Sequence, residues 1–412
     1  MKKLLAFTLA ASLLAGALAQ TVLTVGVFDE FETHLNRVLP QFYELHPDVV
    51  VELRALGFGD HHDLLVTNLA TGTGAPDVVV LELGYIARFV AEGGLRDLSN
   101  PPFEADQYED LFVDYAWAQG RTEDGRQVAI PADIAPGTLF YRRDHLETTG
   151  WGIDEVIESI DSYLDYGREL QDHGVFLVAN AASVADGLIR SDIPAGDGIY
   201  FGADGQPLLN SERFLHAARV AKVIRDEGLD AEIGAWSSEW FEAFRQGTTA
   251  TELSGAWLAG HLANWMAPET SGLWGASEMP GEILVSWGGS FWAIPGQTPE
   301  AKLDAAWNLV QFLTTNPEIQ LEAFRNIDAF PAMPETYDDP MFSEELEFLA
   351  GQPARELWAT IAERIPGVRT FPGDIIAEEI WGSALGEILN EGRDVQAALD
   401  EAQMLIERRV RR

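Results

Sequence analysis

VLTVGVF at residues 22–28, VVVELRAL at 49–56 and DVVVLEL at 77–83 are three apolar, β-branched runs of strand length at nearly even spacing. The segments between them carry helical periodicity: Leu35, Val38, Leu39 and Phe42 share one face, as do Leu64, Leu65 and Leu69, and Ile86, Phe89 and Val90 open a third helix. Strand and helix alternating at about 30 residues per unit is the pattern of right-handed βαβ crossovers on a parallel sheet. Pro40 falls inside the first helical pattern, which predicts a kinked helix or one that starts later than Thr33.

Beyond this first lobe the pattern changes. Asp124-Gly125, between Arg121 and Ile130, has the chemistry of a hairpin turn, and residues 138–141 read as another short strand. A helix is predicted from about Ser159 to Asp172, with Ile160, Tyr163, Leu164 and Leu170 inward. Another runs from an N-cap at Ser211 to Gly228 and buries Phe214, Ala218, Ala221 and Ile224. Thr298-Pro299-Glu300 and Asn316-Pro317-Glu318 each present a cap residue, a proline and an acid, the signature of a helix start. The last helices begin near Asp374 and Asp394. Without repeats or low-complexity linkers, the two lobes are expected to be joined by short segments crossed more than once, which makes a hinge.

The chain begins with Lys2 and Lys3, an apolar run from Leu4 to Leu14, and the small-x-small pattern Ala17-Leu18-Ala19. That is the grammar of a cleaved export signal, which puts the mature start near Gln20 and the protein in the periplasm. The run is too short for a permanent span. The sequence has no cysteine, which excludes disulfides, thiolate chemistry and a lipid anchor attached through cysteine. Lys and Arg number 27 against 66 Asp and Glu, a net charge of −39 that repels nucleic acid and anionic lipid. A solvated acidic surface, adapted to salt, and an acidic site for cations both fit that charge.

Six segments, in order along the chain, carry a resemblance. They are FYELHPDVVV (42–51), LATGTGAPDVVVLE (69–82), GRQVAIPADIAPGTLFYRRDHLETTGW (125–151), WFEAFRQGTTATELSGAW (240–257), SWGGSFWAIP (286–295) and LTTNPEIQLEAFRNIDAFPAMP (313–334). Together they resemble the family 1 extracellular solute-binding proteins, the group of maltose-, cellobiose- and lactose-type binding proteins of ABC importers. The resemblance departs at Thr251 and Glu252, where the family often has methionine. It implies a two-lobed α/β periplasmic binding protein fold with discontinuous lobes, mostly parallel central sheets and a ligand cleft between the lobes. The implied division is a signal peptide at 1–19, one lobe from 20–132 and 291–332, and the other from 133–290 with mainly helices from 333–412. It implies a monomer that passes its ligand to permease subunits in the inner membrane, with no cofactor, no metal and no catalysis.

Parallel strands present ligands at their carboxyl ends, so Phe28, Asp29 and Glu82 are expected to face the cleft, with Glu30 facing either cleft or water. A sugar needs a flat aromatic under its C–H face and planar polar groups around its hydroxyl rim. Trp257, after Ser254-Gly255-Ala256, is placed in a sugar site by the resemblance; a core tryptophan is the alternative. Trp287 with Gly288, Gly289 and Ser290 serves either ligand contact or hinge packing, and Trp236 is a further stacking candidate. Asp133 lies on the hinge crossing, as a ligand contact or a turn residue. Phe330 walls the cleft or packs the hinge, and Arg369 is a candidate bidentate donor. Trp240, Trp307 and Trp381 sit in helical apolar patterns and read as core.

Other chemistries compete. A polyamine or other cation would use an aromatic box with Asp29, Glu82 and Asp133. An exported glycoside hydrolase would need a carboxylate pair at a defined separation, and 66 acids make any pair uninformative. His61 and His62 are adjacent, so on a helix their side chains diverge by about 100° and make a poor ligand pair. Iron(III) is not expected, because no paired tyrosines stand at predicted cleft positions. Gly72-Thr73-Gly74 lacks the lysine of a phosphate loop and precedes a strand.

Overall fold

In the computed structural model, which describes residues 20–28 and 30–410, seven strands form one mixed sheet. They are β1 Thr21–Phe28, β2 Val49–Leu56, β3 Val78–Glu82, β4 Ala129–Arg142, β5 Thr251–Gly255, β6 Trp274–Ser277 and β7 Ser286–Ala293. The order is β2-β1-β3-β7-β4-β5, with β6 also on β4. β1 pairs β2 and β3 in parallel, as the repeated βαβ pattern requires. Every other pairing is antiparallel, because β4 and β7 run in opposite senses between the two lobes. The predicted signal segment lies outside the described residues.

Alternation along the strands builds two packed faces in the first lobe. Leu23, Val25 and Val27 of β1 and Val78 and Val80 of β3 join the helix Phe31–Leu45 and the helices Leu303–Thr314 and Pro317–Ile327 in one core. Val79 and Leu81 point the other way, onto Leu65, Ile86 and Phe89 of the helices Phe58–Thr71 and Leu83–Glu92. The first helix starts at Phe31, earlier than predicted, and runs through Pro40. Its buried face of Leu35, Val38, Leu39 and Phe42 offsets the one backbone hydrogen bond that the proline cannot donate.

β4 is long because it belongs to both lobes. Its first half pairs β7 and its second half pairs β5 and β6, with register shifts between Pro131 and Asp133 and between Ile134 and Pro136. Prolines that cannot donate interrupt the ladder here, and the bulges bend the strand. A third segment crosses beside it, where the Ile134 N–H donates to the Phe330 carbonyl at 2.9 Å. The second lobe's core gathers Leu139 and Tyr141 of β4 against the helices Ile160–Gln171, Ala181–Ile189, Glu212–Asp226, Asp374–Glu391 and Val395–Val410. On the opposite face of β4, Phe140 packs with Phe244, Trp274 and Trp358.

Ser211, predicted as a cap, stands at the start of its helix but makes no side-chain cap bond, its hydroxyl buried without a partner. Asn316 caps its helix as predicted, accepting from the backbone N–H of Glu318 at 3.1 Å, and Ser159 caps the helix expected to start near it, accepting from the N–H of Ser162 at 3.0 Å. Thr298 does not. Its hydroxyl donates to the Asp77 carbonyl at 2.9 Å, Lys302 binds the Asp77 carboxylate at 2.8 Å, and the helix begins only after a 3-10 turn at Glu300–Lys302. The side chain read as a cap instead ties this turn to the start of β3. Trp240, Trp307 and Trp381 are buried, as their patterns predicted.

Candidate functional site

β1 ends at Phe28, β3 ends at Glu82 and β7 enters at Ser286, and these termini meet Asp133 at the bend of β4 around a single cavity. Its volume is about 520 Å³, within the roughly 300–1,000 Å³ range of small-molecule sites. Phe28, Phe31 and Tyr115 line it from the first lobe, and Arg190, Tyr200 and Trp287 from the second.

The two adjacent histidines hold the end of β3. His61 hydrogen-bonds the Val80 carbonyl through Nε2 at 2.8 Å. His62 stacks on Tyr85 with ring centroids 4.1 Å apart, bonds the Phe58 carbonyl through Nδ1 at 2.8 Å, and accepts the Glu82 N–H on Nε2 at 3.1 Å. An accepting Nε2 must be unprotonated, and burial agrees: it lowers the His62 pKa to about 4. Both of its ring nitrogens are engaged with backbone.

Glu82, set by that anchor, turns one oxygen back to accept the Gly84 N–H at 2.6 Å. Burial pushes its carboxyl up to about 7; the Gly84 hydrogen bond and Arg190 pull it down, while Asp133 and Glu378 push it further up. Asp133 is raised to about 7 by burial against hydrogen bonding from Ser290, and its Oδ1 is buried without a partner. Asp374 is also raised to about 7 by burial, although its Oδ2 accepts the Phe371 N–H at 2.8 Å, and its Oδ1 is buried and unpartnered. Among these acids sits Arg190, whose guanidinium lies 3.6 Å from Glu378 and whose Nε has no acceptor. A buried polar atom with no partner costs about 1–3 kcal/mol. Asp133, Arg190 and Asp374 each carry such an atom, and all three residues line the cavity.

The opposite wall is aromatic. Trp257 follows β5, and its indole N–H donates to the Trp287 carbonyl at 3.0 Å, so the two predicted tryptophans share one site. A Cβ on Gly255 would stand 2.4 Å from that indole nitrogen, so only glycine fits there. Trp236 stacks on Trp257 at 5.5 Å and 16°, from a backbone φ of +64° that a bulky side chain adopts at a cost. Gly288 and Gly289 have φ of +115° and +123°, which brings the β7 backbone into the cavity wall.

Of the residues chosen from sequence, Phe28, Glu82, Asp133, Trp236, Trp257, Trp287, Gly288, Gly289, Ser290 and Arg369 line this cavity, as does Glu30. Arg369 is partly engaged elsewhere, 2.6 Å from Glu123 and over the Phe371 ring at 4.7 Å. Phe330 is a correction: it is buried among Phe324, Tyr337 and Phe342 and packs the hinge, while its neighbours Asp328 and Ala329 line the cavity. Asp29 lies outside the described residues. The reading missed Tyr115, Arg190, Tyr200, Asp374 and Glu378. Two tyrosines thus do stand in the cleft, Tyr115 facing Asp133 and Tyr200 facing Arg190, and burial raises both hydroxyls well above their ordinary value. Among the described residues no cluster of three His, Asp or Glu side chains is placed to hold a metal. Arg190 had a visible signal, a cation closing the mostly apolar stretch 181–189 four residues after its one acid, Asp186; the others carry no local pattern that sets them apart.

Comparison with known proteins agrees with this architecture. Residues 38–350 match a family described as bacterial extracellular solute-binding protein. A lactose-binding protein of Rhizobium radiobacter is 24% identical over 264 residues, 60% of each chain, so the match spans less than two thirds of that relative. An arabinooligosaccharide-binding protein of Halalkalibacterium halodurans is 20% identical over 88% of this chain and 84% of its own. Among solved structures, an extracellular solute-binding protein of family 1 superposes with a TM-score of 0.83 at 23% identity, covering 94% of this chain and 99% of that one. An ABC-transporter-associated binding protein from B. animalis subsp. lactis, in complex with β-1,6-galactobiose, superposes with a TM-score of 0.75 at 21% identity, covering 94% and 97%.

Proposed function

The chain belongs to the bacterial extracellular solute-binding proteins, and from that premise we propose that it captures a mono- or oligosaccharide in the cleft between its lobes and closes on it. The observation that carries this reading is the pairing of an indole wall at Trp257 and Trp236 with buried, unpartnered polar atoms on Asp133, Arg190 and Asp374 in one cavity. Stacking takes the C–H face of a sugar ring, and the polar atoms take its hydroxyls. The first-lobe residues Phe28 and Glu82, with Asp133 at the bend of β4, then touch the same guest as the second-lobe residues Arg190 and Trp287, so the guest favours the closed state by bridging the two. The site asks for binding alone, with no bond made or broken. The named relatives bind lactose and arabinooligosaccharides, which supports a glycan and keeps a β-linked disaccharide as a candidate.

The delivery role completes the proposal: export with removal of residues 1–19, a freely diffusing monomer in the periplasm, and release to permease subunits of an ABC importer in the inner membrane. Among the described residues no helix is long and apolar enough to cross a membrane. A cationic ligand is the weaker reading, because Arg190 occupies the middle of the acid cluster. Isothermal titration against a panel of mono- and oligosaccharides and spermidine tests the choice. A saccharide is expected to bind and Trp257→Ala to weaken it by about tenfold or more; spermidine binding with no saccharide binding would reverse the assignment.

A further inference from the structure

Two of the chain's twelve tryptophans are exposed, Trp236 at 55% and Trp265 at 45%, and they are joined through one histidine. The His261 ring lies 5.9 Å from Trp236 and 5.6 Å from Trp265, centroid to centroid, and 5.3 Å from Trp257. Trp257, Trp236 and His261 line the cavity; Trp265 stands one ring further out, beyond it. An aromatic track therefore leaves the cleft and continues onto the surface.

The track has structural support along its length. The helix that begins at Leu258 widens to π spacing over Leu262–Met266, a change that alters where Trp265 points relative to a regular helix. Phe241 braces Trp265 from the side, edge to face at 5.2 Å, and the Arg245 guanidinium fixes the end of the turn by donating to the Met266 carbonyl at 2.6 Å. Trp236 is held in the left-handed region, which a tryptophan avoids unless its surroundings impose it. Exposed indoles lose apolar contact with nothing returned, so a half-covered pair continuous with a binding cavity marks a surface that is covered in the bound state.

We propose that Trp236, His261 and Trp265 form an outer subsite for further sugar rings, so that the ligand is an oligosaccharide longer than the part held in the cavity. This rests on the saccharide reading of the cleft. Neighbouring rings lie 5.3–5.9 Å apart and are inclined by 47–69°, so the track turns as it leaves the cavity and Trp265 offers a further aromatic surface at a new angle to a glycan that follows it. His261 adds a polar edge: burial lowers its pKa, partly opposed by Glu30 across the cleft, and favours the neutral ring that both donates to and accepts from hydroxyls. The subsite thereby sets the chain length, while the cavity sets the identity of the terminal rings.

The test titrates one disaccharide and the tri- and tetrasaccharide of the same linkage, chosen from a binding screen, into the wild-type protein, Trp265→Ala and Trp265→Gln. The wild type is expected to bind the longer glycans about 5- to 10-fold more tightly than the disaccharide, the increment that one or two stacked rings supply. Both variants are expected to erase that gain while leaving the disaccharide affinity unchanged, which also shows that they are folded. Equal affinities across chain length in the wild type, or longer glycans bound equally well by the variants, overturn the outer subsite and leave the cleft reading standing; in the second case a transport defect with unchanged binding would reassign the patch to the permease. Failure of every saccharide to bind the wild type overturns the cleft reading, and the subsite with it.

Discussion

A carboxylate removed from water holds its proton where burial outweighs the hydrogen bonds it accepts, and the cleft contains three such groups raised to about 7, on Glu82, Asp133 and Asp374. Sugar hydroxyls that donate to them favour the ionised form, so binding lowers these pKa values and releases protons. Affinity is therefore expected to rise with pH up to about 7 and level off above it. Titrations at pH 6 in buffers of different ionisation enthalpy check the sign, since proton uptake on binding would contradict the role given to these acids. Glu252 is a separate case, buried in β5 away from the cavity and raised to about 8 by burial. Its folded pKa lies above the unfolded value, so the folded state binds more protons over that interval. The stability it contributes is complete below about 4.5, falls as pH rises through 8, and is absent above that. Glu252→Gln is expected to flatten the loss of thermal stability between pH 6 and 9, and an unchanged slope would place the loss on other groups. At this scale the sequence showed which residue types a sugar needs and placed ten of the twelve chosen residues on one cavity. It failed where burial does the selecting: Tyr115, Arg190 and Asp374 look ordinary as letters and acquire their character only from what packs around them.

At the scale of elements, the strands and most helices were legible because apolar period and cap chemistry agree with tertiary packing. β1, β2 and β3 stand within a residue or two of their predicted runs, and the helix Ile160–Gln171 matches its Ser159 cap. The 298–303 turn was misread because Thr298 spends its hydroxyl on Asp77, a partner 221 residues away that no local pattern reveals. The length of β4 was hidden for a similar reason. Only residues 138–141 were expected as a strand, whereas β4 starts at Ala129 and carries Pro131 and Pro136 at its register shifts. Gly289 combines two constraints in this region, φ at +123° and the Asp133 carbonyl 3.0 Å from where a Cβ would sit. Gly289→Ala is expected to cost about 1–3 kcal/mol and to weaken ligand binding by displacing Asp133. Gly59→Ala, where nothing lies within 4 Å of the added carbon, is expected to be neutral or slightly stabilising. Thermal unfolding of the pair measures both, and equal effects would show that the backbone at 289 is unstrained.

For the whole molecule, the three crossings are what turn two cores into one device. β4, β7 and the segment through Phe330 lie side by side, and the cavity is lined from β4, β7 and the residues next to Phe330. Phe330, expected either to wall the cleft or to pack the hinge, takes the second place from inside the core. The central claim is that a glycan seated between Trp257 and the Glu82–Asp133–Arg190 cluster holds the lobes shut. A crystal structure of the protein grown with its tightest-binding saccharide tests it most directly. The account predicts density for a sugar ring stacked on Trp257 with hydroxyls within hydrogen-bond reach of Asp133 and Arg190; a saccharide bound anywhere else on the molecule, with that cavity filled by solvent, would contradict it.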